Sequence, residues 1–207
     1  MKTTTQLIIA GVMVLAVASC DNDDNATQLD RLLISLELEP DAALDVQCPP
    51  GPIESRTALF AGIFVNQMPV KPDSPGFPDD FCPPETAFFN TAEGRGNSNI
   101  LGQFIWHERY CAGTLKGLIA EGYFQAENGD RLNWDAQIHR DEDSPPHPEM
   151  TFGGEFKFTG GTGALSGIKG EAFVAAKQLG DAKSINRPGS TAATLCGWTA
   201  DVSKSQH

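Results

Sequence analysis

His107-Glu108-Arg109-Tyr110 is the densest run of chemically able side chains in the chain. On a strand successive residues point to opposite faces, so His107 and Arg109 share one side and Glu108 and Tyr110 the other. Turned into a barrel interior, Glu108 and Tyr110 would form a pair for acid–base work, because burial lifts a carboxyl toward neutrality. Turned outward, the same run is a set of solvated charges at a strand end. Tyr123 and Asp135 fit either arrangement. A second cluster, Asp141, Glu142, Asp143, His147 and Glu149, has the oxygen donors that calcium prefers. Its spacing matches no EF-hand loop and two prolines interrupt it, so a solvated acidic loop is expected, with no metal and no cofactor. Gly160-Gly161-Thr162-Gly163 lacks the Gly-Lys-Ser/Thr ending of a phosphate cradle and leads into a strand rather than a helix. No G-x-S-x-G, H-E-x-x-H or Cys/His nucleophile arrangement is present. Glu108 and Tyr110 are the only catalytic candidates.

These residues need elements to position them. The cleanest alternation in the chain sets Leu132, Trp134, Ala136 and Ile138 against Asn133, Asp135, Gln137 and His139, the period-two mark of a half-buried strand. Ile100–Cys111 is a second strand, with Ile100, Gly102, Phe104 and Trp106 on one face and Leu101, Gln103, Ile105 and His107 on the other. Thr57–Val65, Ala87–Ala92, Leu115–Gln125 and Thr191–Val202 are further strands, and Glu93–Ser98 reads as a glycine-rich turn. Asn128-Gly129 predicts a two-residue type I′ hairpin turn. Phe152, Gly154, Phe156 and Phe158 share one strand face, and Ile168, Gly170, Ala172 and Val174 another. The glycine cluster Gly160, Gly161 and Gly163 between them marks a tight connection. Loops are expected at 66–85, which holds six prolines, at 140–149 and at 176–190. About eight strands with antiparallel neighbours predict an all-β fold, a closed antiparallel barrel with no exposed edges.

Composition narrows the function. Asp and Glu outnumber Lys and Arg 27 to 15, a formal charge of −12, which excludes nucleic acid as a partner. It also argues against docking on anionic headgroups. Twenty-one glycines and 14 prolines suit a turn-rich β domain.

The chain start resembles a bacterial lipoprotein signal. Lys2 is a minimal basic region, Leu7–Ala18 is an apolar run too short to span a bilayer comfortably, and Val17-Ala18-Ser19-Cys20 closes it like a lipobox. That resemblance implies a signal over 1–19 and acylation of Cys20, so that the lipid bilayer is a partner through this anchor. The protein is then expected at the bacterial cell envelope, on the periplasmic face or the cell surface. Asp21–Asn25 reads as a solvated tether and also resembles two lipoprotein sorting signals that point to different membranes. Residues 20–55 form the expected tether, in which Leu29, Leu32, Leu33 and Leu36 space out a short amphipathic helix over Gln28–Leu38. The barrel domain is expected over 56–203, with a tail at 204–207. Four cysteines remain, Cys48, Cys82, Cys111 and Cys196, and in an oxidising compartment they predict two disulfides. Of the three connectivities, Cys48–Cys82 with Cys111–Cys196 is the one expected: the first would clip the N-terminal loops and the second join two strands. Their spacing predicts no zinc site.

Three pieces of the chain also resemble one family. Thr159-Gly160-Gly161-Thr162-Gly163 with Ser166-Gly167 and Gly170 resembles the GGTGRFAGATG-type signature of bacterial exported proteins with an allene oxide cyclase-like barrel, a fold shared with plant dirigent proteins. Leu101-Gly102-Gln103-Phe104 resembles that family's LGxF strand, and Ala126-Glu127-Asn128-Gly129-Asp130 its A-x-N-G-D turn. Ala164-Leu165 stands where the family has Arg-Phe, and Ile168 where it has a small residue. The resemblance implies the barrel and transfers no catalytic residue. The function expected first is a non-catalytic module binding a small apolar ligand or a partner protein. A cyclase or isomerase steering a hydrophobic substrate, and a purely structural envelope protein, are the alternatives.

Overall fold

The structure is a computed structural model that describes residues 48–114, 116–179 and 189–201. The expected signal over 1–19, Cys20, the Gln28–Leu38 segment, residues 20–47 of the expected tether, 180–188 of the expected 176–190 loop and the 204–207 tail lie outside the described residues. Eight strands follow in order: β1 (Arg56–Asn66), β2 (Phe88–Ser98), β3 (Gly102–Thr114), β4 (Gly117–Ala126), β5 (Arg131–Arg140), β6 (Thr151–Gly161), β7 (Ile168–Gln178) and β8 (Ser190–Asp201). Each pairs antiparallel with its sequence neighbour, and β8 returns to β1, so the sheet closes into a barrel. The turns after β2, β4 and β6 gather at one end, hereafter the closed end. β1, β3, β5 and β7 end at the other, the mouth.

The interior follows from the alternation. On β5 every second residue is buried, and on β3 Phe104, Trp106, Glu108 and Tyr110 all point in. Phe60, Phe104, Phe124 and Phe158 meet one another with ring centroids 4.8–5.8 Å apart. Trp134 and Phe156 continue the stack at 4.5 Å, and Trp106 joins Phe124 at 4.9 Å. This aromatic plug makes one part of the barrel solid. β1 and β8 are buried on their outer face as well, at Leu59, Ala61, Ala192, Thr194 and Cys196, which is why TALFAGIFV reads as a continuous apolar run instead of an alternating one.

Three expectations need correction. Glu93–Ser98 is the second half of β2, not a turn. Gly94 and Gly96 are there because added Cβ atoms would lie 2.2 Å from the Ile63 carbonyl oxygen and 2.3 Å from the Phe104 ring, so Gly94 admits the close approach of β1 and Gly96 admits the plug. Asn128-Gly129 is not a two-residue type I′ turn. Gly129 N–H donates to the Ala126 carbonyl, and among the turn residues only Gly129 takes positive φ (+88°), which makes a three-residue loop of a type I turn and a left-handed glycine. The Asn128 side chain bonds Asp130 through both its oxygen and its nitrogen, which fixes that geometry. Third, the disulfides are Cys48–Cys196 and Cys82–Cys111, with Cα atoms 4.7 and 5.5 Å apart, not the pairing expected. Cys111 and Cys196 both face outward from the barrel wall, and each clips one flanking loop onto it.

Candidate functional site

Near the mouth polar side chains join the apolar inward face. Tyr110 and Ala112 from β3, Asn66 from β1, Phe88 and Asn90 from β2, and Leu118 from β4 surround a pocket of about 360 Å³. Ile138, Met150, Phe152 and Gln178 complete its apolar wall and rim. The barrel is therefore solid toward the closed end and hollow toward the mouth.

One polar row crosses the pocket. Asn90 Nδ2 donates to the Tyr110 hydroxyl at 3.1 Å, and that hydroxyl donates to Asn66 Oδ1 at 3.1 Å. Asn90 Oδ1 accepts from the Thr91 backbone N–H at 2.8 Å, which orients the amide. Asn66 Nδ2 faces the Gly189 carbonyl and the Thr191 hydroxyl at 3.4 and 3.5 Å. One strand pleat deeper, Glu108 is buried and its Oε2 accepts from the Trp106 indole N–H at 2.9 Å. Burial pushes the Glu108 carboxyl up to about 7, against the lowering effect of that indole bond. Burial and the nearby Glu108 charge hold the Tyr110 phenol well above its ordinary value, outweighing the Asn90 bond, so Tyr110 stays protonated. The rim carries its own contacts. Arg140 Nη2 donates to the carbonyls of Ser144 and Pro145 at 3.2 and 2.8 Å, and His147 Nδ1 donates to Gln178 Oε1 at 3.2 Å.

The structure thus brings Glu108 and Tyr110 together inside the barrel. It does not bring the remaining candidates to them. His107 faces outward, 3.2 Å from Glu93 and stacked on Tyr123 at 4.5 Å. Arg109 pairs with Glu121 outside the wall and lies 4.3 Å over the Phe81 ring. Asp135 is on the same outer surface, its carboxyl raised by partial burial and by Glu121, with Lys157 opposing. Among the described residues no three His, Cys, Asp or Glu side chains converge to hold a metal, the acidic loop after β5 included.

The glycine signature is at the closed end, away from the pocket, and its contacts are structural. Arg131 N–H donates to Thr162 Oγ1 and Thr162 N–H to the Arg131 carbonyl, both at 2.9 Å. Ala164 N–H donates to Asp130 Oδ2 at 3.1 Å. Gly161 and Gly163 leave room for this docking: added Cβ atoms would sit 1.9 Å from the Arg131 carbonyl oxygen and 2.0 Å from the Asp130 carboxylate. Two of the three resembling stretches therefore pin each other.

Sequence reasoning missed Asn66 and Asn90. Their signal was parity: each is a polar residue at an inward position on an otherwise apolar strand face. No family model, curated protein or solved structure matches the chain.

Proposed function

We propose that the chain is a non-catalytic binding module of the cell envelope, held at a membrane by acylated Cys20, whose barrel mouth takes up a small, largely apolar molecule. The observation that carries the reading is the hollow half of the barrel, with apolar walls and one ordered row of amide and hydroxyl groups. Small-molecule sites have this composition, and about 360 Å³ lies at the lower end of their volumes. The barrel agrees with the architecture that the Thr159–Gly163 resemblance implies. A lipid anchor on Cys20 would keep such a module at the envelope without a spanning helix, and no described helix is long and apolar enough to cross a membrane. Native mass spectrometry of residues 20–207, with Cys20 replaced by Ser and exposed to a metabolite and lipid extract, tests it. A stoichiometric adduct of a few hundred daltons is expected. A clean apo mass would leave only the structural-protein alternative.

One observation favours a second reading. Tyr110, a protonated donor, lines the pocket, and Glu108, poised near neutrality, lies beside it one inward position deeper on β3, as an acid–base pair would. In that reading the bound molecule is isomerised, and it leaves with its mass unchanged but its chromatographic retention altered. Retention unchanged after prolonged incubation keeps the module non-catalytic.

A further inference from the structure

We propose that the molecule taken at the mouth is a cation, an apolar body carrying one amine. This rests on the reading of the mouth as a ligand pocket. Glu108, one inward position deeper than Tyr110 on β3, is the only buried carboxylate among the described residues, and no described cation pairs with it. A carboxylate buried without a countercharge is costly, and its natural complement is a positive group brought in from outside. Arg140, the one permanent cation among the described residues that line the pocket, is exposed at the rim and committed to the Ser144 and Pro145 carbonyls.

The acceptors between Glu108 and the pocket suit an ammonium. The Tyr110 oxygen has two lone pairs and accepts one bond, from Asn90. Asn66 Oδ1 likewise has two and accepts one, from Tyr110. Each can still receive one N–H, so an ammonium seated on them lies just outside the Glu108 layer. The surroundings add to this: a chain of formal charge −12 raises the local concentration of cations and repels anions. A carboxylate ligand would meet Glu108 behind the floor and would have to draw Arg140 off its carbonyls.

Three probes with one body and three heads separate the possibilities: benzylamine, benzyl alcohol and benzoate, titrated calorimetrically into residues 20–207 at about pH 8, where the amine is charged. Benzylamine is expected to bind about tenfold or more tighter than benzyl alcohol, the scale of a charge pair at partly screened distance, with benzoate weakest. In Glu108→Gln that preference should vanish while benzyl alcohol affinity holds. The pH series on the unmodified protein is an independent readout. Because only the ionised carboxylate pairs with the amine and Glu108 titrates at about 7, lowering the pH to about 5 leaves about one molecule in a hundred ionised, and benzylamine affinity should fall to that of benzyl alcohol, losing the preference of about tenfold or more seen at about pH 8. Tyr110 stays protonated across this range; the histidines near the mouth are His139 on β5 and His147 in the loop after it, and any pH dependence that survives in Glu108→Gln comes from groups other than Glu108. Benzyl alcohol or benzoate binding as tightly as benzylamine, or a preference that survives Glu108→Gln, would overturn the amine inference and leave the pocket reading standing. None of the three binding would overturn both.

Discussion

Glu108 is the one buried carboxyl among the described residues, and its cost should be measurable. Its carboxyl titrates near 4.5 when exposed and near 7 in the fold, so between those values the native state holds more protons than the unfolded state. Stability is then highest below about pH 4.5 and lost as pH rises toward 7, a contribution of roughly 3 kcal/mol. Glu108→Gln keeps the hydrogen bond from the Trp106 indole and removes the titration. Chemical denaturation of the two proteins between pH 4 and 8 should show the variant gaining on the parent as pH rises; parallel curves would mean that Glu108 is solvated. The inward turn of Glu108 and Tyr110 was legible once the parity of β3 was fixed by Phe104 and Trp106. What each touches was not, because Asn66 and Asn90 come from strands whose register across the barrel no local pattern states.

At the scale of elements, the turns after β4 and β6 act as one unit. Gly161→Ala drives a methyl into the Arg131 carbonyl and is expected to cost roughly 1–3 kcal/mol in thermal denaturation. Asp130→Ala loses the bonds to Ala164 and Asn128 and should cost about 1 kcal/mol. Neither should change ligand uptake, since both lie at the end away from the mouth. A lowered uptake with the fold intact would contradict that division. Peptide mapping without reduction should recover Cys48–Cys196 and Cys82–Cys111, and Cys82→Ser with Cys111→Ser should cost about 2–4 kcal/mol. The glycines of 160–163 announced a tight connection because only glycine meets its space demands. The glycines of 93–98 misled for the same reason in reverse, since there the space is taken by a ring arriving from the neighbouring strand. Connectivity of the cysteines could not be read, because it depends on which loops fold back over the outer wall.

Over the whole molecule, alternation and turn signals were enough for a closed eight-stranded barrel, since strands with one apolar face and no edge to spare have few other solutions. Whether such a barrel is solid or hollow depends on how side-chain volumes sum across eight strands. Here the aromatic plug fills one half, and Ala112 with the Asn66–Tyr110–Asn90 row leaves the other open. Filling that space with Ala112→Phe should abolish uptake while leaving the plug and the melting curve nearly intact. The most direct measurement uses the methionines. Residues 20–207 contain two, Met150 in the pocket wall and Met68 exposed on the loop after β1. With both methyl groups carbon-13 labelled, addition of benzylamine or benzyl alcohol should shift the Met150 resonance saturably in the parent and not in Ala112→Phe, with Met68 unmoved. A static Met150 signal, or Met68 and Met150 shifting together without saturation, would contradict a ligand site at the barrel mouth.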